Sequence, residues 1–256
     1  MRNKLTDELA VCGMNAVLAV AEHHPQTINR LFLREDRLQS FTDICKQLAE
    51  RKRPYKLCEE EELERVCKSV HHQGVVAMIE EPLIEPLSLE DLEVWVSEKK
   101  TGVLLHSVGN DHNLGAIARA AAFFNAAYII LNEKDTEARL TTSAYRIAEG
   151  AIEHLTIRSI KSTTAFLKDA SKRLITIGTD TRARMRISDM GDIIKTAKEK
   201  NKRSGVALVL GNEETGLPKD VKDNCSHLLR IPGTGNIDSL NVSQAAALFL
   251  HAIYEH

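Results

Sequence analysis

The sequence predicts an α/β protein of about two domains, the second of them built on a mostly parallel sheet. Three observations carry this expectation. The chain has 256 residues, and at roughly 150 residues per domain that length suits about two. From residue 102 onward, short apolar runs alternate with helical patterns, as in a parallel sheet covered on both faces. At 80–88, two prolines among acidic and polar residues mark a linker between the halves.

The elements follow in order from local pattern. Apolar spacing at 11–21 suits a helix, and Ile28 to Leu33 a short strand. A helix at 43–52, a strand at 55–57 and a helix with an acidic start at 60–68 come next. The apolar run Val75-Val76-Ala77-Met78-Ile79 reads as a buried strand. After the linker, 89–99 is a connecting helix that carries the only tryptophan, Trp95. In the second half, strands are expected at 102–106, 128–131, 155–157, 174–178, 206–210 and 228–231. Helices are expected at 114–125, 141–149, 162–172, 188–200 and 241–255. Ligands of such sheets sit beyond the carboxyl ends of the strands. The loops to inspect therefore follow Leu105, Ile177, Leu210 and Ile231.

Hydrophobic residues make up 43% of the chain and charged ones 27%, which excludes a chain disordered throughout. No apolar run approaches the roughly 20 residues of a membrane span. The first twenty residues lack the apolar core and cleavage site of a secretory signal. The five cysteines, Cys12, Cys45, Cys58, Cys67 and Cys225, form no Cys-x-x-Cys pair. They read as small buried hydrophobes of a reducing cytoplasm, and neither a disulfide framework nor a metal site is expected.

The net charge of −2 conceals three blocks. Residues 1–58 hold 10 Lys/Arg against 7 Asp/Glu, residues 59–98 hold 2 against 12, and residues 99–256 hold 22 against 17. A polyanion can bind basic faces outside the acidic middle, because local potential outweighs the total. The arginines at 182, 184 and 186 admit an RNA-facing reading beside that of a solvated surface.

Three loops carry candidate chemistry. After the first strand of the second half stands Asn110-Asp111-His112-Asn113, in which Asn113 is placed to cap the next helix. Arg119 follows six residues later and reads locally as an exposed helical arginine. After the strand ending at Leu210 stands Gly211-Asn212-Glu213-Glu214-Thr215-Gly216, with no Gly-Lys-Ser/Thr to make a Walker A loop. Glu213 taken alone is a solvent-facing turn residue. The third loop, from Ile231 through Gly233 and Gly235 to Ser239-Leu240-Asn241-Val242-Ser243, lacks the third glycine of a dinucleotide fingerprint and closes the fold rather than opening it. Ser239 or Asn241 there is an N-cap candidate.

Taken in order, these three motifs resemble the TrmH (SpoU) family of S-adenosylmethionine-dependent RNA ribose 2′-O-methyltransferases, of the SPOUT class. The carriers are Asn113-x5-Arg119, Gly211-Asn212-Glu213-x-x-Gly216-Leu217 and Ile231-Pro232-x5-Asp238-Ser239-Leu240-Asn241-Val242-Ser243-x-Ala245-Ala246-Ala247. Gly13-x-Asn15-Ala16-Val17 and His72-Gln73-Gly74-Val75 look like the family's substrate-binding domain, a ribosomal-protein-like RNA-binding fold. The resemblance implies an RNA-binding domain at 1–80, a linker and connecting helix at 81–100, and a SPOUT domain at 101–256. It also implies a deep trefoil knot and a homodimer with active sites near the subunit interface.

Carried over by position, Arg119, Asn113, Glu213, Ser239 and Asn241 match the catalytic set. Gly211, Ile231 and Leu240 match positions that hold S-adenosylmethionine. Gly178, Thr179, Leu210, Asn212 and Ser243 belong to the same expected pocket. Phe124-Asn125 stands where Phe-Gly is common in the family. Arg30, Arg34, Arg37, Arg51, Lys52 and Arg53 are the candidates for phosphate contacts. The expected reaction is methyl transfer to a ribose 2′-OH of tRNA or rRNA. The competing reading is an RNA-binding or ribosome-assembly protein with little turnover. Aromatic residues are only 4%, so recognition by shape is expected over extensive base stacking.

Overall fold

The computed structural model describes residues 2–3, 8–134, 139–200 and 205–256. They fall into two compact units, Met1–Leu83 with Arg139–His154, and Ile84–Ala138 with Leu155–His256.

The first unit holds a five-stranded sheet in the order β1-β2-β5-β3-β4, with β1 Arg2–Asn3, β2 Glu8–Cys12, β3 Ile28–Leu33, β4 Tyr55–Leu57 and β5 Val75–Glu80. Only the β3–β4 pair is parallel. Its helices are α1 Met14–His23, α2 Thr42–Glu50 and α3 Glu60–Cys67. The helix expected at 11–21 begins later than its spacing suggests. Val11 and Cys12 are fully buried strand residues paired with Ala77 and Val76, so sheet pairing overrides the periodicity. Gly13, at φ 101°, turns the chain from β2 into α1. Met14 N–H then donates to the Gln73 side chain at 2.7 Å, so the two N-terminal motifs meet at the start of α1.

The second unit holds a seven-stranded, all-parallel sheet. Its members are β6 Thr101–Leu105, β7 Tyr128–Asn132, β8 Thr156–Ile160, β9 Ile175–Thr179, β10 Met185–Arg186, β11 Val206–Leu210 and β12 His227–Arg230. The order is β10-β12-β9-β11-β6-β7-β8. Helices α4 Leu89–Ser97, α5 Asp111–Phe123, α7 Thr163–Ala170, α8 Met190–Lys200, α9 Lys219–Lys222 and α10 Val242–Tyr254 accompany it. The helix between β7 and β8, α6 Thr142–Ala148, groups with the first unit, where it packs on β2.

Alternate residues of each central strand point to opposite faces. Leu104, Tyr128, Ile130, Ala207 and Val209 share one buried cluster with Trp95 of α4 and Leu167 of α7. Val103, Leu105, Ile129, Leu208 and Leu210, one residue out of step, are buried too. Both faces are therefore covered, and α5 and α10 pack on each other. Trp95 is fully buried, stacked on Tyr128 at 4.9 Å, with its indole N–H donating to Lys100 O at 3.1 Å. Ser88 and Asp91 form a reciprocal cap at the start of α4. Part of the expected linker is paired: Leu87 N–H donates to Ser159 O and Ser159 N–H to Glu85 O, which lays residues 85–87 along β8. All five cysteines are free thiols. Among the described residues no helix is long and apolar enough to cross a membrane.

Candidate active site at the C-terminal strand edge

Register places the candidate loops together. Leu210 stands opposite Leu105, Val209 opposite Gly178, and Leu229 opposite Thr179. With every strand parallel, the segments after β6, β9, β11 and β12 leave from one edge of the sheet. That edge is where open α/β sheets hold ligands.

The first loop differs from expectation in one detail. Asn110, not Asn113, caps α5, its side-chain oxygen accepting the Asn113 N–H at 2.8 Å. Asn113 is itself helical and only 8% exposed. Its side chain is thereby available for another task. Its Nδ2 donates to the Glu213 carboxylate, and its Oδ1 accepts from Asn241 Nδ2 at 3.1 Å. Glu213 also accepts the Gly109 N–H at 3.2 Å. One buried amide thus joins the motifs after β6, β11 and β12. Glu213 is a half-buried clasp within this network, rather than a turn residue facing solvent.

The second loop is closed by its own residues. Gly216 N–H donates to Asn212 O at 2.9 Å. Asn212 Oδ1 accepts the N–H groups of Glu214 and Thr215 at 3.0 and 3.1 Å, while its Nδ2 donates to Ser107 O at 2.9 Å. Gly211 lies so close to this return that a Cβ there would stand 2.5 Å from the Gly216 carbonyl carbon. A side chain at 211 would force the loop open.

Asn241 proves to be the N-cap of α10, its Oδ1 accepting from Ser243 N at 2.8 Å and Ser243 Oγ at 2.6 Å. With Nδ2 bonded to Asn113 as well, both ends of its amide are engaged. Ser239 and Leu240 are exposed on the 231–240 segment, and Ile231 is half-buried. Between residues 233 and 240 one backbone N–H, that of Asn236, reaches a protein acceptor, Thr234 Oγ1 at 3.5 Å. Gly178 and Leu210 are buried, and Thr179 Oγ1 donates to Val209 O at 3.4 Å. Arg119 is exposed on α5, about 9 Å along the helix axis from Asn113. The sequence reading missed the Gly109 N–H, the Ser107 carbonyl and the Asn110 cap. Asn110-Asp111 ahead of a helical pattern was the available signal for the last.

The SpoU rRNA methylase family profile matches residues 100–251, so its span includes all three motifs and the network that joins them. The chain belongs to the SpoU rRNA methylase family. A second profile, RNA 2′-O ribose methyltransferase substrate binding, matches residues 10–84. Among relatives of this SpoU protein, the 23S rRNA (guanosine-2′-O-)-methyltransferase RlmB of Bordetella pertussis is 29% identical over 248 residues, covering 94% of each chain. The AdoMet-bound rRNA methyltransferase of Sinorhizobium meliloti shares the fold at TM-score 0.76 and 21% identity, over 98% of this chain and 88% of its own. The SpoU methyltransferase AviRb of Streptomyces viridochromogenes, solved with AdoMet, does so at TM-score 0.71 and 20% identity, over 98% and 91%.

Within the part of the SpoU chain matched to substrate binding, the six basic candidates divide. Arg30 pairs with Glu8, Arg34 with Asp36 and Glu60 at 2.8 Å each, and Arg37 with Asp36 at 3.5 Å. Arg51 donates to Pro25 O at 3.0 Å. Arg51, Lys52 and Arg53 form an exposed run after α2, and Lys52 takes a left-handed φ of 56°.

Proposed function

We propose that this protein transfers the methyl group of S-adenosylmethionine to a ribose 2′-OH of ribosomal RNA. One observation carries the reading: a single buried amide, Asn113, gathers the three loops that leave one edge of a parallel sheet. RlmB relatives that align over nearly their whole length favour large-subunit rRNA as the substrate.

The residues at this edge fit the cofactor. An adenosine group needs an apolar surface with backbone donors and acceptors around it. The 231–240 segment offers Leu240, Ile231 and a run of N–H groups with few protein acceptors. Gly178, Thr179, Leu210, Gly211, Asn212 and Ser243 complete the cradle, with the Asn212 side chain and the Ser243 hydroxyl fixing the loops. Bound S-adenosylmethionine supplies an activated methyl group on a sulfonium.

The protein must align the acceptor ribose and manage one proton. Arg119, exposed on α5 about two turns beyond Asn113, is assigned to the acceptor, where its fork would hold a phosphate and stabilise charge developing on the 2′-oxygen. A guanidinium is too basic to act as a general base. Ser239, exposed in the third motif, is assigned to hydrogen-bond the acceptor hydroxyl, whose proton passes to water or to a substrate phosphate. Asn113, Glu213 and Asn241 are positioning residues.

A homodimer completes the reading. Phe123 is 80% exposed on α5, one turn beyond Arg119, and Tyr254 and Leu248 are 60% and 45% exposed on the partnering α10. A second copy covering this apolar face would bring its own residues close to Arg119. The trefoil knot is carried over with the family resemblance, and a strand order in which the chain between β9 and β10 passes β12 is compatible with it. Residues 1–80 are assigned to RNA capture through Arg30, Arg34, Arg37, Arg51, Lys52 and Arg53. A cytoplasmic location fits the five free thiols.

The test is calorimetric titration with S-adenosylmethionine, followed by transfer of labelled methyl to rRNA from cells lacking the gene. Cofactor binding with label in RNA supports the enzyme. Binding without label on naked RNA or on ribosomal particles favours a binding module.

A further inference from the structure

Beyond β9 the chain crosses the level of β12 in residues 180–184 and enters β10. There Met185 pairs with Leu229 and Arg186 with Arg230. Leu229 in turn pairs with Thr179, so this crossing lies at the same sheet edge as the candidate site. Arg182, Arg184 and Arg186 are all exposed. The carboxylates nearest in the chain are bonded to other groups, although, against the upward push of burial, the Arg182 charge adds to that of Lys222 in holding the Asp180 carboxyl below its ordinary range. Asp180 accepts the Arg182 backbone N–H at 3.0 Å and pairs with Lys222 at 2.9 Å. Asp189 accepts the Arg186 backbone N–H at 2.8 Å. Among the described residues no carboxylate pairs with the guanidinium groups of Arg182, Arg184, Arg186 or Arg230, whereas Arg34 holds two.

Register partners project from the same face of a sheet, so Arg186 and Arg230 set like charges side by side. That arrangement is unfavourable without a counter-charge. In a chain whose net charge is −2, it is a local feature. Guanidinium forks match phosphate oxygens in pairs, and a row of them along one edge suits a strand of phosphates.

We propose that Arg182, Arg184, Arg186 and Arg230 form a stripe that clamps the phosphates of the RNA strand flanking the target ribose. This rests on the RNA methyltransferase reading and adds the surface that grips the strand beside the site. It is separate from the basic candidates of the first unit.

The test uses the full-length protein and an unmodified in vitro transcript of large-subunit rRNA, with binding followed by fluorescence anisotropy over a KCl series. For the triple variant Arg182→Gln/Arg184→Gln/Arg186→Gln, Kd for the transcript rises about 10-fold or more near physiological salt. The slope of log Kd against log salt falls by about 2, from roughly 0.7 per lost phosphate contact. Affinity for S-adenosylmethionine and kcat at saturating RNA stay within about twofold, as phosphate contacts outside the reacting centre require. The matching Lys triple variant keeps the slope and loses a few-fold in affinity, since charge remains and the fork is lost. Should the Gln triple fold poorly, Arg184→Gln alone lowers the slope by about 0.7. Unchanged Kd and slope in the Gln variants, with wild type binding the transcript, overturns the stripe, and a surface built for an acidic protein gives that result. A wild type that binds the cofactor but labels no rRNA, free or in particles, overturns the enzymatic reading instead. The salt slopes then judge the stripe alone.

Discussion

Asn113 donates its side-chain N–H to the carboxylate of Glu213, one hundred residues further along the chain. The donor is nearly buried, and its carbonyl oxygen is taken by Asn241. The polarity of the contact is therefore fixed. Asn113→Asp would set two carboxylates against each other, at a cost of about 2–4 kcal/mol and most of the activity. Glu213→Gln in that background removes the repulsion and restores a donor–acceptor pair. The double variant is expected to recover more than half of the lost stability in denaturant melts. Strict additivity of the two changes would show that the residues do not interact.

Arg119→Lys keeps the charge and loses the planar fork. The expected outcome is a fall in kcat of about 100-fold with cofactor affinity unchanged. The check is single-turnover methyl transfer beside calorimetry. Near-normal turnover would remove Arg119 from the reacting centre.

Phe123, at 80% exposure, stands one turn from Arg119 on α5. Phe123→Asp on a dimer interface is expected to yield monomer in light scattering and to lower activity by at least about 10-fold, because buried aromatics dominate such interfaces. A wild type that is monomeric at working concentration contradicts the dimer.

Asp91 makes a stability prediction with a pH sign. Burial would raise its carboxyl, but Arg158 at 3.0 Å and the Ser88 N–H and hydroxyl hold it below the ordinary 3.8. A depressed folded-state value means its contribution is present above 3.8 and is lost as pH falls through the lower folded value. Asp91→Ala, which also removes the return half of the α4 cap while Ser88 still accepts the residue 91 N–H, is expected to cost about 1–3 kcal/mol at neutral pH. The gap from wild type should narrow in melts below about pH 4, as linkage requires. A constant gap from pH 7 to pH 3 would contradict the assignment.

The parallel sheet was legible because its strands are buried on both faces and read as unbroken apolar runs, such as Val206 to Leu210. β10 was not, since Met185 and Arg186 are both exposed and carry no apolar signal. Val11 and Cys12 fit helical and strand patterns alike, and only their pairing with β5 decides. Asn110 and Asn113 are three residues apart, and local pattern favoured the wrong one as the cap of α5. Glu213 read alone as a turn residue because its partner is remote in sequence. Asn125 takes φ 58° after α5, a position suited to glycine that asparagine tolerates, which accounts for the departure from Phe-Gly.

Methyl transfer through Arg119 is tested most directly by nucleoside mass spectrometry of rRNA from a deletion strain complemented with wild type or Arg119→Ala. One 2′-O-methylated nucleoside is expected to return with wild type and to stay absent with Arg119→Ala at equal protein level. Equal restoration by both, or loss of no 2′-O-methyl group on deletion, would contradict it.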